Sequence, residues 1–586
     1  MTKPEPFFFD TDARPLFGWL HRADRPGRLG LVVCNPFGYE AICAHRGLRA
    51  FAEAAAAVGV PALRFDYDGT GNSAGDDRDP ARLAAWVAST RHAIAALRRE
   101  TGVEKVALLG VRLGALVVAL AADGRDDVDG LVALAPVVAG KAHLRELRAL
   151  QMALSLPERP PGARVEDGVQ EALGFALTAS TKAELGEVDL TRLERAPAPA
   201  VLLLERDDLP ANDAWPQRLE AQGAAVTRLR LPGYVELVLG AEHTVVPEKM
   251  VRATADWLSA RSARHGAPAS APLGAAPAGS ATFGPVVETA TFVDPERRLF
   301  GILSTPASPP PARRGLLLLN AGAIHHVGPN RLHVTLARRW AALGHAVLRL
   351  DVSGIGDSRA RPGERENVVY GASAGEDVRR GLDFLRAQPG VVDVHAVGLC
   401  SGGYHAFKAA VAGVPMDGVV LINPLTFFFD PEEHANKDGE AATTGETTRY
   451  LRRLRDPAAW KKLLSNGVDL RRPAQTLARF AADRLRGHAQ ELARRVGVQL
   501  GDDLGAELTK VAARGTAIRF VFSADDPGQD LLRVNGGSTV DELRERGRLD
   551  IVVIAGTDHT FTPLWSHAVL TSALAAHFDS LPRARA

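Results

Sequence analysis

The sequence predicts two doubly wound α/β domains in one chain, each a mostly parallel sheet with helices on both faces, and three observations carry that prediction. At 586 residues the chain exceeds one ordinary domain. Short leucine- and valine-rich runs, among them "GRLGLVVCN", "KVALLG" and "PAVLLLE", alternate with alanine-rich amphipathic stretches such as 81–101. That alternation is the pattern of βαβ units whose strands are buried on both sides. Near the middle, "ARSARHGAPASAPLGAAPAGSATFGP" is rich in Ala, Pro, Gly and Ser and has no apolar period, as a flexible linker would.

The two halves match in order. "LVVCNPFG" with Asn35 answers "LLLLNAGA" with Asn320, and "PALRFDYDGTGNS" answers "AVLRLDVSGIGDS". "VALLGVRLGAL" answers "VHAVGLCSGGY", "LLLERDDLP" answers "FVFSADDPG", and "AEHTVVP" answers "GTDHTFTP". The spacing between partners is equal for Asn35/Asn320 and Asp66/Asp351, nearly equal for Gly110/Gly398, and wider for His243/His559. One plan is therefore expected twice, at 1–259 and 285–586 with a linker at 260–284. The second copy carries extra residues between its "GLCSGG" turn and its histidine.

Composition narrows the function classes. Hydrophobic content of 46% with 24% charged residues is that of a soluble globular protein. A formal net charge of +1 predicts no attraction to nucleic acid or anionic membrane. No apolar run approaches the ~18–20 residues of a membrane span, and the N-terminal residues lack a signal-peptide pattern. The three cysteines, Cys34, Cys43 and Cys400, are too few and scattered for a disulfide framework, so a reducing cytoplasm is expected.

The chemistry is expected in the second half. In "AVGLCSGGYHAF" the pattern G-x-C-x-G places Cys400 on a sharp strand-to-helix turn, where Gly398 and Gly402 keep the turn free of clashes. The helix that starts there aims its N–H groups and positive dipole end at the thiol, which favours thiolate. The partners follow in the order nucleophile, acid, histidine. "AIRFVFSADDPG" ends an apolar strand in two aspartates, and "LDIVVIAGTDHTFTP" ends the next strand in a loop with His559. His559 is expected as the general base and Asp526, three residues after Ser523, as the acid that orients it, with Asp525 the alternative. The Ser401 N–H and the turn Ala321, Gly322, Ala323 are expected to hold an oxyanion.

Other residues carry less. His325 and His326 have no carboxylate or cysteine at ligand spacing nearby in the sequence, so no metal is expected and both are read as loop residues shaping a pocket. Asp351 and Ser358 are read as turn-forming. About 425–515 is long for a connection and rich in Arg, Lys, Leu and Ala, which predicts a helical lid. Its arginines are either a solvated face or a grip on an acidic group. A shorter cap is expected at 140–195.

With these motifs assembled, the chain resembles the α/β-hydrolase superfamily over nearly its whole length. Its halves are similar to the two exosortase-associated hydrolase families found beside exopolysaccharide genes, the first through "FDYDGTGNSAGD" and "GVRLGAL", the second through "VGPNRLHVTLARRW" and "GLCSGG". The Cys turn is also similar to those of dienelactone hydrolases, polyhydroxyalkanoate synthases and the Dieckmann cyclases of polyketide pathways. The resemblance implies that "GVRLGAL" is a nucleophile elbow whose nucleophile has become Arg112, a side chain that cannot attack a carbonyl. Asp208 and His243 then stand in acid and histidine positions as relics. Arg112 either binds an anion at the helix N-terminus or pairs with Asp208 or a lid acid.

The expected activity is acyl transfer from an ester or thioester, free or linked to a carrier protein or CoA, through Cys400, His559 and Asp526 without a cofactor. The rival expectations are an inactive binding or scaffold protein and a Cys-dependent cyclase. The oligomeric state is open.

Overall fold

A computed structural model describes residues 3–9, 14–154, 156–163, 168–266, 278–310, 313–429 and 502–580. Residues 430–501 of the expected lid and 267–277 of the expected linker lie outside them.

The strands form where the sequence is apolar enough to be covered on both faces. Leu29–Cys34 and Arg313–Leu319 are buried along their whole length, as central parallel strands require. The covering helices show the complementary stripe. In Ala374–Arg386 the buried Val378, Gly381, Leu382 and Leu385 recur at helical spacing.

The first sheet has eight strands, in spatial order Glu5–Phe9, Leu16–His21, Ala62–Phe65, Leu29–Cys34, Lys105–Val111, Val128–Leu134, Ala200–Arg206 and Ala225–Leu231. The first two run antiparallel to their neighbours and the rest are parallel. The second sheet repeats this order with Val286–Phe292, Phe300–Pro306, Ala346–Leu350, Arg313–Leu319, Val391–Leu399, Gly418–Ile422, Ala517–Ser523 and Leu549–Ile554. It adds one antiparallel edge strand, Ser280–Phe283, formed by residues expected in the linker. At the linker's other end the helix Glu248–Ser262 runs past residue 260.

Between Val128–Leu134 and Ala200–Arg206 the first half carries a cap. It holds the helices Gly140–Ala153 and Ala179–Glu187, but also a hairpin of Gln170–Ala172 and Phe175–Leu177 that a purely helical expectation misses. The hairpin turns at Leu173 and Gly174, both at positive φ (53° and 86°), as a two-residue hairpin loop needs. Leucine at the first of these positions hides the usual Asn-Gly signal.

The halves pack on each other through an apolar patch and a polar one. Phe8, Phe17 and Trp19 of the first sheet form one buried cluster with Phe300 and Ile302 of the second, with Trp19 and Phe300 edge to face at 4.6 Å. Beside it, Arg331 donates to the Gly71, Gly75 and Ser73 carbonyls of the first half. Arg64 reaches across to Asp357 at 2.5 Å, and both side chains are buried.

Among the described residues no helix is long and apolar enough to cross a membrane.

Candidate active site

The turn at Cys400 is built from the strand Val391–Leu399 and the helix Ser401–Val411. Cys400 sits between them at φ 56°, ψ −120°, a conformation that side chains other than glycine rarely adopt. Its N–H is tied to the Ile422 carbonyl at 2.9 Å, which fixes the turn to the neighbouring strand. The two glycines are steric requirements. A Cβ on Gly398 would lie 2.0 Å from the Gly402 carbonyl carbon, and one on Gly402 would lie 2.6 Å from the Asn320 oxygen.

The histidine and the acid lie together. His559 Nδ1 lies 2.6 Å from Asp526 Oδ2. Asp526 is also the N-cap of the helix Pro527–Gly536, its Oδ1 accepting from the Gly528 N–H at 2.9 Å. Both carboxylate oxygens are thus engaged, and the group is buried, whereas the alternative Asp525 is exposed.

Burial opposes charging of His559, but the charge of Cys400 and the hydrogen bond to Asp526 outweigh it and push the imidazole up to about 10. His559 Nε2 itself makes no hydrogen bond of full geometry. The coupling to Cys400 is therefore mainly one of charge, at a site where Cys400 is half-buried.

Asn423, which sequence reasoning passed over, holds this arrangement together. It stands at positive φ just past the strand Gly418–Ile422. Its amide donates to Ser523 Oγ and to the His559 carbonyl, both at 2.7 Å, and its oxygen accepts the Ser523 N–H at 2.8 Å. The strand that carries the acid and the loop that carries the histidine are pinned to one side chain.

The oxyanion candidates separate. Ser401 starts its helix, so its N–H has no intrahelical acceptor. The Gly322 N–H instead donates to Ser401 Oγ at 2.9 Å, so in this geometry Gly322 latches the loop to the elbow. Ala321 is buried beneath that latch and Ala323 is half-buried beside it. An aromatic wall stands close by. Tyr370 stacks on Phe429 at 4.4 Å and meets Tyr404 edge to face at 5.1 Å. Burial, then the charges of Cys400 and Tyr404, push the Tyr370 hydroxyl upward.

The first half repeats the turn with Arg112 at its apex. Arg112 has φ 54°, ψ −117°, and its N–H is tied to the Leu134 carbonyl at 2.9 Å. A Cβ on Gly110 would lie 2.4 Å from the Gly114 oxygen. The side chain, 9% exposed, pairs with Glu40 at 2.9 Å and with Glu146 of the cap at 2.5 Å. Burial opposes the Arg112 charge, but Glu40, Tyr234 and Glu146 raise its pKa. The hydrogen bond from His143, then the Arg112 charge, hold Glu146 down at about 2 against the burial that would raise it. Arg112 is thus paired inside the protein, with Glu40 and an acid of the cap.

Asp208 and His243 are not assembled with Arg112. Asp208 pairs with Arg206 at 2.5 Å, and the His243 side chain is 67% exposed. Register explains the acid. Leu134 pairs with Leu204 as Ile422 pairs with Val521, so Asp208 corresponds to Asp525, and Leu209 stands where Asp526 would. Ala135 takes the place of Asn423 with the same φ of 44° and cannot form its clamp.

His325 and His326 meet more in the fold than in the sequence. Carboxylates absent from their sequence neighbourhood arrive through the fold: donor atoms of His326, Asp351 and Asp357 all lie within 4.8 Å of one another. Each is already satisfied by protein. His326 Nδ1 meets Asp351 Oδ2 at 2.7 Å, Asn72 meets His326 Nε2 at 3.0 Å, and Asp357 takes Arg64 and His45. The cation here is the Arg64 guanidinium. Asp351 also accepts the Asp357 N–H, so its turn-forming role is real but partial. Ser358 ties the Phe300 N–H to the Asp351 carbonyl, and Ser73 does the same for Phe17 and Asp66.

Strand order, the two strained elbows and the helices packed around each sheet decide the architecture. The chain carries the α/β-hydrolase fold in both halves. The serine aminopeptidase family S33 matches residues 44–180, within the half whose elbow bears arginine. No curated protein sequence matches the chain. Similar solved structures include Est1E from Butyrivibrio proteoclasticus with ferulic acid bound, 16% identical over 44% of this chain and 98% of that one, TM-score 0.33. Another is the α/β hydrolase GrgF from Penicillium sp. sh18, 17% identical over 45% of this chain and 99% of that one, TM-score 0.33. A third is the dienelactone hydrolase from Anabaena variabilis ATCC 29413, 13% identical over 51% and 100%, TM-score 0.30.

Proposed function

We propose that this α/β-hydrolase-fold chain is a thiol-dependent acyl-transfer enzyme whose chemistry resides in its second half. Cys400 attacks the carbonyl of an ester or thioester, free or linked to CoA or a carrier protein. His559 takes the thiol proton and returns it to the leaving group, and Asp526 orients the imidazole and stabilises its charge. The Ser401 N–H holds the oxyanion, joined by the Ala321–Ala323 turn once Gly322 is released from Ser401. Water or another nucleophile then takes the acyl group from sulfur.

The observation that carries this reading is the 2.6 Å contact of His559 Nδ1 with a buried Asp526, beside a cysteine held at φ 56° on a strand-to-helix turn. A buried structural cysteine needs neither. The family match falls on the other half, so the activity rests on the second half's own residues.

We also propose the division 1–259, 260–284 and 285–586, with the halves related by duplication and resembling the two exosortase-associated families. The shared strand order and the shared elbow conformation support it. In this division the first half is non-catalytic because Arg112 replaces the nucleophile and Leu209 the acid. Free cysteines at 34, 43 and 400 fit a reducing, cytoplasmic setting.

Turnover of short acyl thioesters by the full chain tests the reading. Cys400→Ala is expected to reduce kcat/KM by about 10³-fold or more, while an added amine acceptor separates transfer from hydrolysis by speeding product release. Equal turnover by Cys400→Ala would overturn it.

A further inference from the structure

The loop that carries His559 is held from both halves of the chain. It joins the strand Leu549–Ile554 to the helix Leu564–Ser580. Its own half supplies three ties. Asn423 donates to the His559 carbonyl, and the Asp558 carboxylate accepts from the Thr562 N–H and hydroxyl, both at 2.6 Å. His567 Nε2 lies 2.8 Å from the Phe561 carbonyl oxygen, which ties the helix back to the loop.

The first half's cap supplies the rest. Gly556 stands three residues before His559, at φ 71°, against the cap segment 156–161. A Cβ on Gly556 would lie 2.5 Å from Pro160 Cδ and 3.0 Å from the Glu158 carbonyl oxygen. That segment carries Pro157, Pro160 and Pro161, whose rings fix φ and stiffen it.

The cap hairpin crosses to the second half as well. At its tip, a Cβ on Gly174 would lie 2.3 Å from Asn330 Nδ2. Phe175 beside it lines one cavity with Leu564 and His567, at the start of the helix that follows the loop. Glu171, on the first strand of the hairpin, is half-buried. Burial raises its carboxyl, the Leu564 N–H lowers it and the Asp558 charge raises it, and those two residues bracket His559 in the chain.

The cap is in turn anchored in the first half. Arg112 pairs with Glu146 of the helix Gly140–Ala153, and Gln151 of that helix accepts the Leu173 N–H of the hairpin turn at 2.7 Å. The Ala176 N–H donates to Asp77 at 2.8 Å. A continuous set of contacts thus runs from the Arg112 turn through the cap to the His559 loop.

We propose that the cap of the first half is a positioning element for the active site of the second, with Pro160 and Glu171 holding the 556–564 loop so that His559 meets Cys400. Both act through the loop as positioning residues. The inference rests on the chemistry proposed above for Cys400 and His559.

Two measurements on the full chain test it, with Pro160→Gly, Glu171→Ala and Glu171→Gln beside the parent and Cys400→Ala. In Pro160→Gly and Glu171→Ala, amide hydrogen exchange of residues 556–564 is expected to be faster by about threefold or more, with the strand Val391–Leu399 unchanged. Turnover of a short acyl thioester by both is expected to lose about fivefold or more in kcat, with KM within about twofold. Glu171→Gln, which keeps an acceptor for the Leu564 N–H, is expected to recover most of the kcat.

Parent-like loop exchange in both variants would overturn the inference. So would parent-like kcat in both while Cys400→Ala is inactive. Equal losses in Glu171→Ala and Glu171→Gln would assign the effect to charge and overturn the role of Glu171. Loop exchange that responds in a chain without Cys400-dependent turnover would instead overturn the underlying reading, and the positioning role with it. If Glu171→Ala does not fold, Pro160→Gly, outside helix and strand, decides.

Discussion

Arg112 and Cys400 share one backbone conformation, φ 54°, ψ −117° against φ 56°, ψ −120°, at the same strand-to-helix turn. In the first half the side chain at this strained turn joins Glu40 to the cap through Glu146.

Placing a serine at this turn is therefore not expected to create activity. Arg112→Ser is expected to show no turnover, because Asp208 is bound to Arg206 and His243 faces solvent. It is also expected to destabilise the first half by about 2 kcal/mol, read by urea unfolding. That is below the full cost of breaking a buried pair, because Glu146 is 41% exposed.

Asn423→Ala copies into the second half what Ala135 is in the first. It leaves the Ser523 N–H without its acceptor and frees the His559 loop. A loss of about 2 kcal/mol in stability is expected, with kcat falling more than KM changes. An unchanged kcat would remove Asn423 from the positioning of His559.

His559 gives a pH signature. Its pKa in the folded chain, about 10, lies above the ~6.5 of an unfolded chain. Its contribution to stability is then complete below about pH 6.5 and is lost as pH rises through about 10. The stability gap between parent and His559→Ala should narrow over that window, and turnover should fall through its upper end as the imidazolium loses its proton.

Asp357 gives the opposite sign. Burial would raise its pKa, but Arg64 and then His45 hold it well below the usual range. Its contribution is present above about pH 4 and lost as pH falls through the folded value. Asp357→Asn leaves Arg64 buried without its counter-charge and is expected to cost about 3 kcal/mol at pH 7. Acid unfolding measured on parent and variant should converge at low pH.

Local signals made the strands, both elbows and the Asp526–His559 order legible, since apolar runs, G-x-x-x-G and strand-end aspartates are read within a few residues. What escaped depends on long closures. Asn423 grips residues 100 and 136 positions away, Glu40 lies 72 from Arg112, and Arg64 meets Asp357 across 293. The His326–Asp351 contact was hidden for the same reason, because Asp351 reaches His326 only when the two strands lie side by side. The acid of the first half was misplaced by one residue, since "DD" occurs in both halves and only strand pairing sets which aspartate corresponds.

The most direct measurement is intact-protein mass spectrometry after mixing the chain with short acyl thioesters, beside Cys400→Ala and His559→Ala. The account predicts a single acyl adduct on the parent chain, none on Cys400→Ala, and loading slowed by about 10²-fold or more on His559→Ala. An adduct of equal yield on Cys400→Ala, or none on the parent with any thioester, would contradict it.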